Sequence, residues 1–262
     1  MEPMIGMRRL RKVWNPGTAK ALTAIDDLTL DVAAGEFVVL LGPSGCGKSS
    51  LLYLVAGLEA PTAGELLCDG RPVSGPAPDR GMIFQEASLY PWLTIADNVA
   101  FGLKLQRVPS AERRSAALEL LRKVGLADAA AKRPDELSGG MRQRAALARA
   151  LAMRPKVLLM DEPFAALDIQ TRAKMQGHLL DAWRASGASV LLVTHSIDEA
   201  LALADRIVVF TARPGRIKQV MPVDLPRPRS PRDPRLIELH QQLADLLADE
   251  VDRAFLEQEA AV

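Results

Sequence analysis

Cysteine is scarce: only Cys46 and Cys68 occur in 262 residues. That excludes a disulfide framework and a four-cysteine zinc site. Aromatic residues make up only 4% of the chain, leaving few platforms on which bases could stack. Neither sign of charge dominates, because 33 Lys and Arg meet 32 Asp and Glu. A global basic field of the kind that gathers nucleic acid is therefore absent. No uninterrupted apolar run approaches the ~18 residues that span a bilayer. The basic start (Arg8, Arg9, Arg11, Lys12) leads into no apolar signal-peptide stretch. What is present is ordinary: 48% apolar and 25% charged residues argue against disorder. The length suits one large domain or two small ones with a substantial core. The expected location is the cytosol, or the cytosolic face of a membrane.

Short continuous apolar runs recur at Phe37–Leu41, Val157–Met160, Val190–Val193 and Ile207–Phe210. Continuous rather than alternating hydrophobicity suits strands covered on both faces, as in a parallel sheet flanked by helices. Helical stretches separate them, notably Lys48–Ala56 and Arg142–Ala152, so the fold class is α/β. Leu22–Leu30 shows partial period-two patterning, which predicts an antiparallel edge region. Between Ala87 and Leu137 no strand run occurs, and Glu112–Val124 reads as a charged amphipathic helix. An inserted helical subdomain over about 87–153 is expected. Prolines 226, 228, 231 and 234 cannot continue a helix or central strand. They predict a Pro/Arg-rich linker between a main domain of residues 1–225 and a C-terminal amphipathic helix, together 226–262. In that helix Leu236, Leu239, Leu243, Leu246, Leu247, Val251 and Phe255 fall close to one face.

Gly42, Pro43, Ser44, Gly45, Cys46, Gly47, Lys48 and Ser49 match G-x-x-x-x-G-K-[ST] directly after an apolar strand, with Ser50 next in the same turn. Glycines let the backbone curl so that successive N–H groups point at phosphate oxygens, and the following helix adds its positive dipole end. Lys48 is expected to reach the β- and γ-phosphates and Ser49 to ligate Mg²⁺. Val157–Met160 runs into Asp161 and Glu162, carboxylates at the ligand-binding edge of such a sheet. Asp161 suits Mg²⁺, and Glu162 suits orienting and polarising a water. By themselves two acids also suit a helix N-terminus.

Together with Leu137-Ser138-Gly139-Gly140-Met141-Arg142-Gln143-Arg144, these motifs resemble the ATPase subunit of ATP-binding-cassette (ABC) transporters. The resemblance runs from about Arg8 to Pro222. It implies a P-loop NTPase cassette with a mixed or parallel core sheet, an antiparallel edge region and the helical insertion. ATP and Mg²⁺ are the implied ligands. Two such domains pair head to tail, so Ser138, Gly139 and Gly140 of one subunit face the phosphate loop of the other. Gln85 would bridge metal or water and sense the γ-phosphate; His195 would contact the γ-phosphate and hold Glu162 and the water. Asp168 would couple the two sites, although outside the family it reads as a loop acid or helix cap. Trp14 is the candidate for stacking on adenine, or else a packed surface residue. Met141 departs from the family pattern, which has Gln.

Gly75–Gln85, Leu89–Thr94, Asp161–Asp168 and Ala212–Ile217 narrow the resemblance to the nitrate/sulfonate/taurine importer branch. That branch implies a transmembrane permease, a periplasmic solute-binding protein and a peripheral position on the cytoplasmic face of the inner membrane. The solute would be a small one such as an anion. The alternative is a soluble ABC ATPase of cofactor or cluster assembly without a permease. A nucleic-acid-associated ABC protein is disfavoured by the single phosphate loop, the lack of long heptads and the lack of zinc cysteines. Leu89, Tyr90, Trp92 and Leu93 discriminate: exposed, they suit a permease helix; buried, they merely pack.

Overall fold

Three stretches of chain build the fold, here a computed structural model describing residues 2–165 and 167–259. Ala166 of the Ala165–Asp168 motif and the last three residues of the C-terminal region lie outside the described residues. The first stretch contains β1 (Ile5–Trp14), β2 (Leu22–Val32), β3 (Phe37–Leu41), α1 (Lys48–Ala56), β4 (Ala63–Cys68) and β5 (Arg71–Pro72). The second contains β6 (Arg80–Ile83), α2 (Ile95–Leu105), α3 (Ser110–Lys123), α4 (Gly139–Ala152), β7 (Val157–Asp161) and α5 (Ile169–Ser186). The third contains β8 (Ser189–Thr194), α6 (Ile197–Leu203), β9 (Arg206–Phe210), β10 (Ile217–Pro222) and α7 (Pro234–Glu259). The first and third stretches form one compact unit, and residues 78–188 form another.

In the first unit, β3 lies parallel to both β8 and β9, and β10 runs antiparallel to β9. All residues of β3 and β8 are buried, as their unbroken apolar runs predict. A separate antiparallel sheet runs β2-β1-β4-β5. Sequence patterning shows only part of it, as a single edge region. The reason is that β1 carries Arg and Lys at successive positions, and its pairing with β2 shifts register three times. Period-two alternation is lost there although the strand persists. Trp14 consequently ends a strand instead of preceding the first strand pair.

In the second unit, β6 and β7 are parallel. Helices α2, α3 and α4 enclose a cluster that includes Ile95, Val99, Leu121, Leu126, Leu137 and Ala145.

The Pro/Arg-rich linker is docked on the first unit, and the helix beyond it departs from the expected stripe. Arg227 donates to Leu203 O (2.6 Å) and Asp205 Oδ1 (2.7 Å), and Arg229 donates to the carbonyls of Leu201, Leu225 and Val223. Burial, reinforced by the neighbouring Arg227 charge, pulls the Arg229 pKa down to about 10. The buried stripe of α7 is Leu236, Leu243, Leu247 and Glu250, whereas Val251 and Phe255 are exposed. At 100° per residue the stripe rotates past those two positions, and Glu250 takes the buried place.

Candidate active site

Gly42–Ser50 follows β3 and curls into α1. Gly42, Pro43 and Cys46 are buried, while Ser44 and Gly45 are exposed. Gly47 has φ 101°, and a Cβ there would lie 2.4 Å from Ala24 O, so only glycine fits. As the residue capping α1 it offers no side chain, and no acid occupies the first turn. The leading amides of α1 therefore have no partner from a capping side chain. Lys48 is buried, and its Nζ donates to Gly42 O (2.8 Å), Pro43 O (2.7 Å) and Cys46 Sγ (3.3 Å). No carboxylate of the same unit among the described residues balances this ammonium. A buried charge held only by neutral acceptors favours an incoming anion. Ser49 and Ser50 are half-buried in the first turn. Trp14 Nε1 donates to Ser50 Oγ at 3.2 Å, which ties the indole to this helix start. One ring face is occupied by Lys12 Nζ, 4.4 Å from the centroid.

His195 is brought to the same sheet edge by register: Leu41 pairs with Thr194, so the phosphate loop and His195 leave adjacent parallel strands at one level. The imidazole is exposed. Its backbone is set by a buried pair, Thr194 Oγ1 donating to Glu199 Oε2 at 2.7 Å, and by Ser196 capping α6.

In the second unit the pairing of Ile83 with Met160 sets Gln85 and the Asp161–Glu162 pair at one edge of β6 and β7. Asp161 is buried and Glu162 half-buried. Glu162 has φ 45°, the left-handed region that a glutamate seldom adopts; such backbone concentrates at functional sites. Gln85 is exposed, and the chain around it is anchored on both sides. Gln143 Nε2 donates to Phe84 O at 3.3 Å, and Arg149 donates to Ser88 O at 2.8 Å and Ala87 O at 3.3 Å. Burial sets Arg149 below the ordinary arginine range, and the Tyr90 ring beside it opposes that shift. Fully buried Asn98 binds both the N–H and the carbonyl of Tyr90. Sequence reasoning passed over Arg149 and Asn98; both lie on helices facing a Pro-containing loop, a weak signal.

Ser138 caps α4, its Oγ accepting from Met141 N–H at 3.3 Å. Gly139 and Gly140 are half-buried, and a Cβ on Gly140 would lie 2.7 Å from Leu167. The Met141 side chain packs on the helical cluster. Asp168 is exposed and caps α5, accepting from Thr171 N–H at 3.0 Å; the Thr171 side chain and, after it, this amide hold its carboxyl below the usual carboxylate range. Trp92 is 68% exposed, whereas Tyr90 is half-buried against Phe101 and Trp92. The first unit thus gathers Trp14, the phosphate loop and His195. The second gathers Gln85, Asp161 and Glu162 at one strand edge, with Ser138–Gly140 and Asp168 at two helix starts.

Residues 25–165 match the ABC transporter family. The chain is 49% identical over 240 residues to the taurine import ATP-binding protein TauB of Burkholderia pseudomallei, covering 88% of this chain and 92% of that protein. It is 49% identical over 210 residues to the nitrate import ATP-binding protein NrtD of a Synechocystis strain, covering 80% and 79%. Among solved structures it is similar to a dimeric ATP-binding cassette in a post-hydrolysis state bound to ADP and Pi. That likeness has a TM-score of 0.76 and 33% identity, covering 84% of this chain and 99% of that one.

Proposed function

This chain belongs to the ABC transporter family, and from that premise we propose that it powers an importer for a small solute carrying an oxyanion group. It is an ATPase. It pairs with a second copy and with a transmembrane permease, and a separate solute-binding protein delivers the solute. Among the described residues no helix is long and apolar enough to cross a membrane. In this reading its permease holds the subunit at the cytoplasmic face of the inner membrane, as the import relatives support. Relatives named for import disfavour the assembly ATPase that needs no permease.

One observation carries the reading: a buried ammonium, Lys48, sits at a helix start without a capping side chain or first-turn acid. Phosphates supply the missing charge and acceptors. The Gly45–Lys48 amides and Lys48 hold the β- and γ-phosphates. Trp14, anchored to Ser50 and covered on one face by Lys12, stacks its other face on adenine. Ser49, Gln85 and Asp161 supply hydroxyl, amide and carboxylate oxygens. Such hard oxygen donors would fit Mg²⁺, which is held through one or two carboxylates together with waters and substrate phosphates. When bound, that ion neutralises charge on the phosphate oxygens. Glu162 orients and polarises the attacking water, and His195 holds the γ-phosphate end of that arrangement. Ser138, Gly139 and Gly140 contact the γ-phosphate held by the other subunit, and Asp168 couples the sites. Hydrolysis is then chiefly positioning and charge stabilisation.

The test is Mg-ATP binding and turnover by the full chain beside Lys48→Ala. Wild type should bind and hydrolyse ATP, and the variant should do neither. Equal binding by both would remove the phosphate loop from the site. Reconstitution with its permease in membranes, assayed with candidate small oxyanions, would then identify the solute.

A further inference from the structure

The C-terminal helix reaches the phosphate loop through a single turn. Between β9 and β10 the chain reverses at Thr211–Arg216, closed by Thr211 N–H to Arg216 O (3.0 Å) and Thr211 Oγ1 to Pro214 O (3.1 Å). Gly215 is stitched to β2 twice: its N–H donates to Ala24 O at 2.9 Å, and its carbonyl accepts from Asp26 N–H at 3.1 Å. A Cβ at position 215 would lie 2.1 Å from Cys46 O. The turn therefore backs directly on the phosphate loop, with no room for a side chain between them. Arg213 Nε donates to Gly45 O at 3.3 Å. On the far side, the Ala212 N–H donates to Glu250 Oε2 at 2.8 Å. Glu250 is buried on α7, and its other oxygen accepts from Lys218 Nζ at 2.8 Å. Lys218 Nζ also donates to Leu246 O at 2.8 Å, so α7 and β10 are locked together. Burial would raise the Glu250 carboxyl, but the Lys218 bond and the Ala212 amide outweigh it, so the group remains a carboxylate.

We propose that Glu250 and Arg213 are positioning residues for the phosphate loop. The carboxylate on the C-terminal helix fixes the turn, and the turn holds Gly45 and Cys46 in the shape that receives phosphate. A brace of this kind acts on nucleotide affinity, because the groups assigned to the water and its activation lie on other segments. The C-terminal helix then has a route to ATP affinity, which anything displacing that helix would use.

The inference rests on the reading of Gly42–Ser49 as an ATP-binding loop, and the experiment separates the two. Affinity for Mg-ATP, KM and kcat are measured on the full chain for wild type, Arg213→Ala, Glu250→Ala, Glu250→Gln and the double alanine variant. Loss of one hydrogen bond at the loop should raise Kd and KM by about 3- to 10-fold, with kcat within about twofold of wild type. The two alanine changes act in series, so the double variant should lose no more than the larger single loss. Glu250→Gln keeps an oxygen for the Ala212 amide and should recover most of the affinity, which a purely structural role for the ion pair would not predict. Arg213 bonds to the loop rather than to the core, so its variant remains decisive if Glu250→Ala does not fold. Unchanged affinity in Arg213→Ala, or additive losses in the double variant, overturns the proposal. Failure of wild type itself to bind Mg-ATP would bring down the phosphate-loop reading, and the brace with it.

Discussion

Helices α1 and α4 both start at glycines, Gly47 as the cap of α1 and Gly139 and Gly140 as the first residues of α4, yet they treat their first-turn amides in opposite ways. At α1 the capping residue is Gly47, which has no side chain, and the loop adds a buried ammonium. At α4 the capping residue is Ser138, whose Oγ already accepts from the Met141 amide. Acids are favoured in first turns by the helix dipole, and α2, α3 and α6 carry them as Asp97, Glu112, Asp198 and Glu199. Both α1 and α4 lack them. The contrast separates two kinds of anion site. The start of α1 has neither a capping side chain nor a first-turn acid, a lack that a phosphate would make good. At the start of α4 the exposed Ser138 side chain already takes one amide, so that end gains less from capturing a free phosphate. It suits a phosphate already fixed on another subunit.

The largest expected effect tests whether these two ends serve one reaction. Glu162→Gln keeps the size of the side chain and removes its charge and basicity. Loss of a general base typically costs about 10²- to 10⁴-fold in rate. ATP affinity should survive, since the proposed reading assigns the phosphates to Lys48 and the loop amides. Uncleaved ATP should then join two subunits, the loop of one against Ser138 of the other. Light scattering after size exclusion should show a dimer with Mg-ATP and a monomer with Mg-ADP. Adding Ser138→Arg should abolish the dimer without touching ATP affinity. If Ser138→Arg instead weakens ATP binding by the monomer, α4 is part of the same subunit's site and the contrast collapses. Near-normal turnover in Glu162→Gln would take Glu162 out of the mechanism.

A smaller effect concerns the loop after Gln85. Tyr90 is held by Asn98, Phe101 and Arg149, whereas Trp92 projects into solvent. Replacing Tyr90 disturbs the fold locally, so Trp92→Ala is the cleaner probe of permease docking. A buried tryptophan anchor at an interface is worth about 2 kcal/mol, roughly 30-fold in affinity. Permease binding should weaken by that order while ATP turnover of the isolated subunit stays unchanged. Equal permease binding by both proteins would assign Trp92 to surface packing alone.

The parts legible in the sequence share one property: their cause is local. Phe37–Leu41, Val157–Asp161 and Ser189–Thr194 are apolar enough to specify buried parallel strands without reference to partners. The phosphate loop is readable because its glycines, Lys48 and Ser49 stand in one contiguous run, although the carbonyl that excludes a side chain at Gly47 belongs to Ala24, 23 residues earlier. Strand β1 was hidden because bulges set by β2 and β4 break its alternation. Glu250 was hidden for a stronger reason. A glutamate on a helix is ordinarily a solvated residue, and only Ala212 and Lys218, more than 30 residues earlier in the chain, give it a buried role. Likewise the Arg227 and Arg229 bonds that dock the proline-rich segment depend on carbonyls of distant residues.

The smallest effect adds a third helix start, α5, whose cap can be titrated. Asp168 caps Thr171 with a carboxylate, while Ser138 caps Met141 with a hydroxyl. The Asp168 pKa is lowered in the fold, chiefly by its bond to Thr171. A lowered carboxyl contributes its stabilisation above the unfolded value of about 3.9 and loses it as pH falls through the lower folded value. No such loss attends a serine cap. Between about pH 5 and pH 2, protection of the Thr171 amide against hydrogen exchange should fall once intrinsic rates are divided out. Protection of the Met141 amide should hold over the same range. In Asp168→Asn, which caps without titrating, the Thr171 amide should become as insensitive to acid as Met141. Parallel loss at both amides in all variants would mean that acid opens the whole unit, and the difference between a charged and a neutral cap would then have no local consequence.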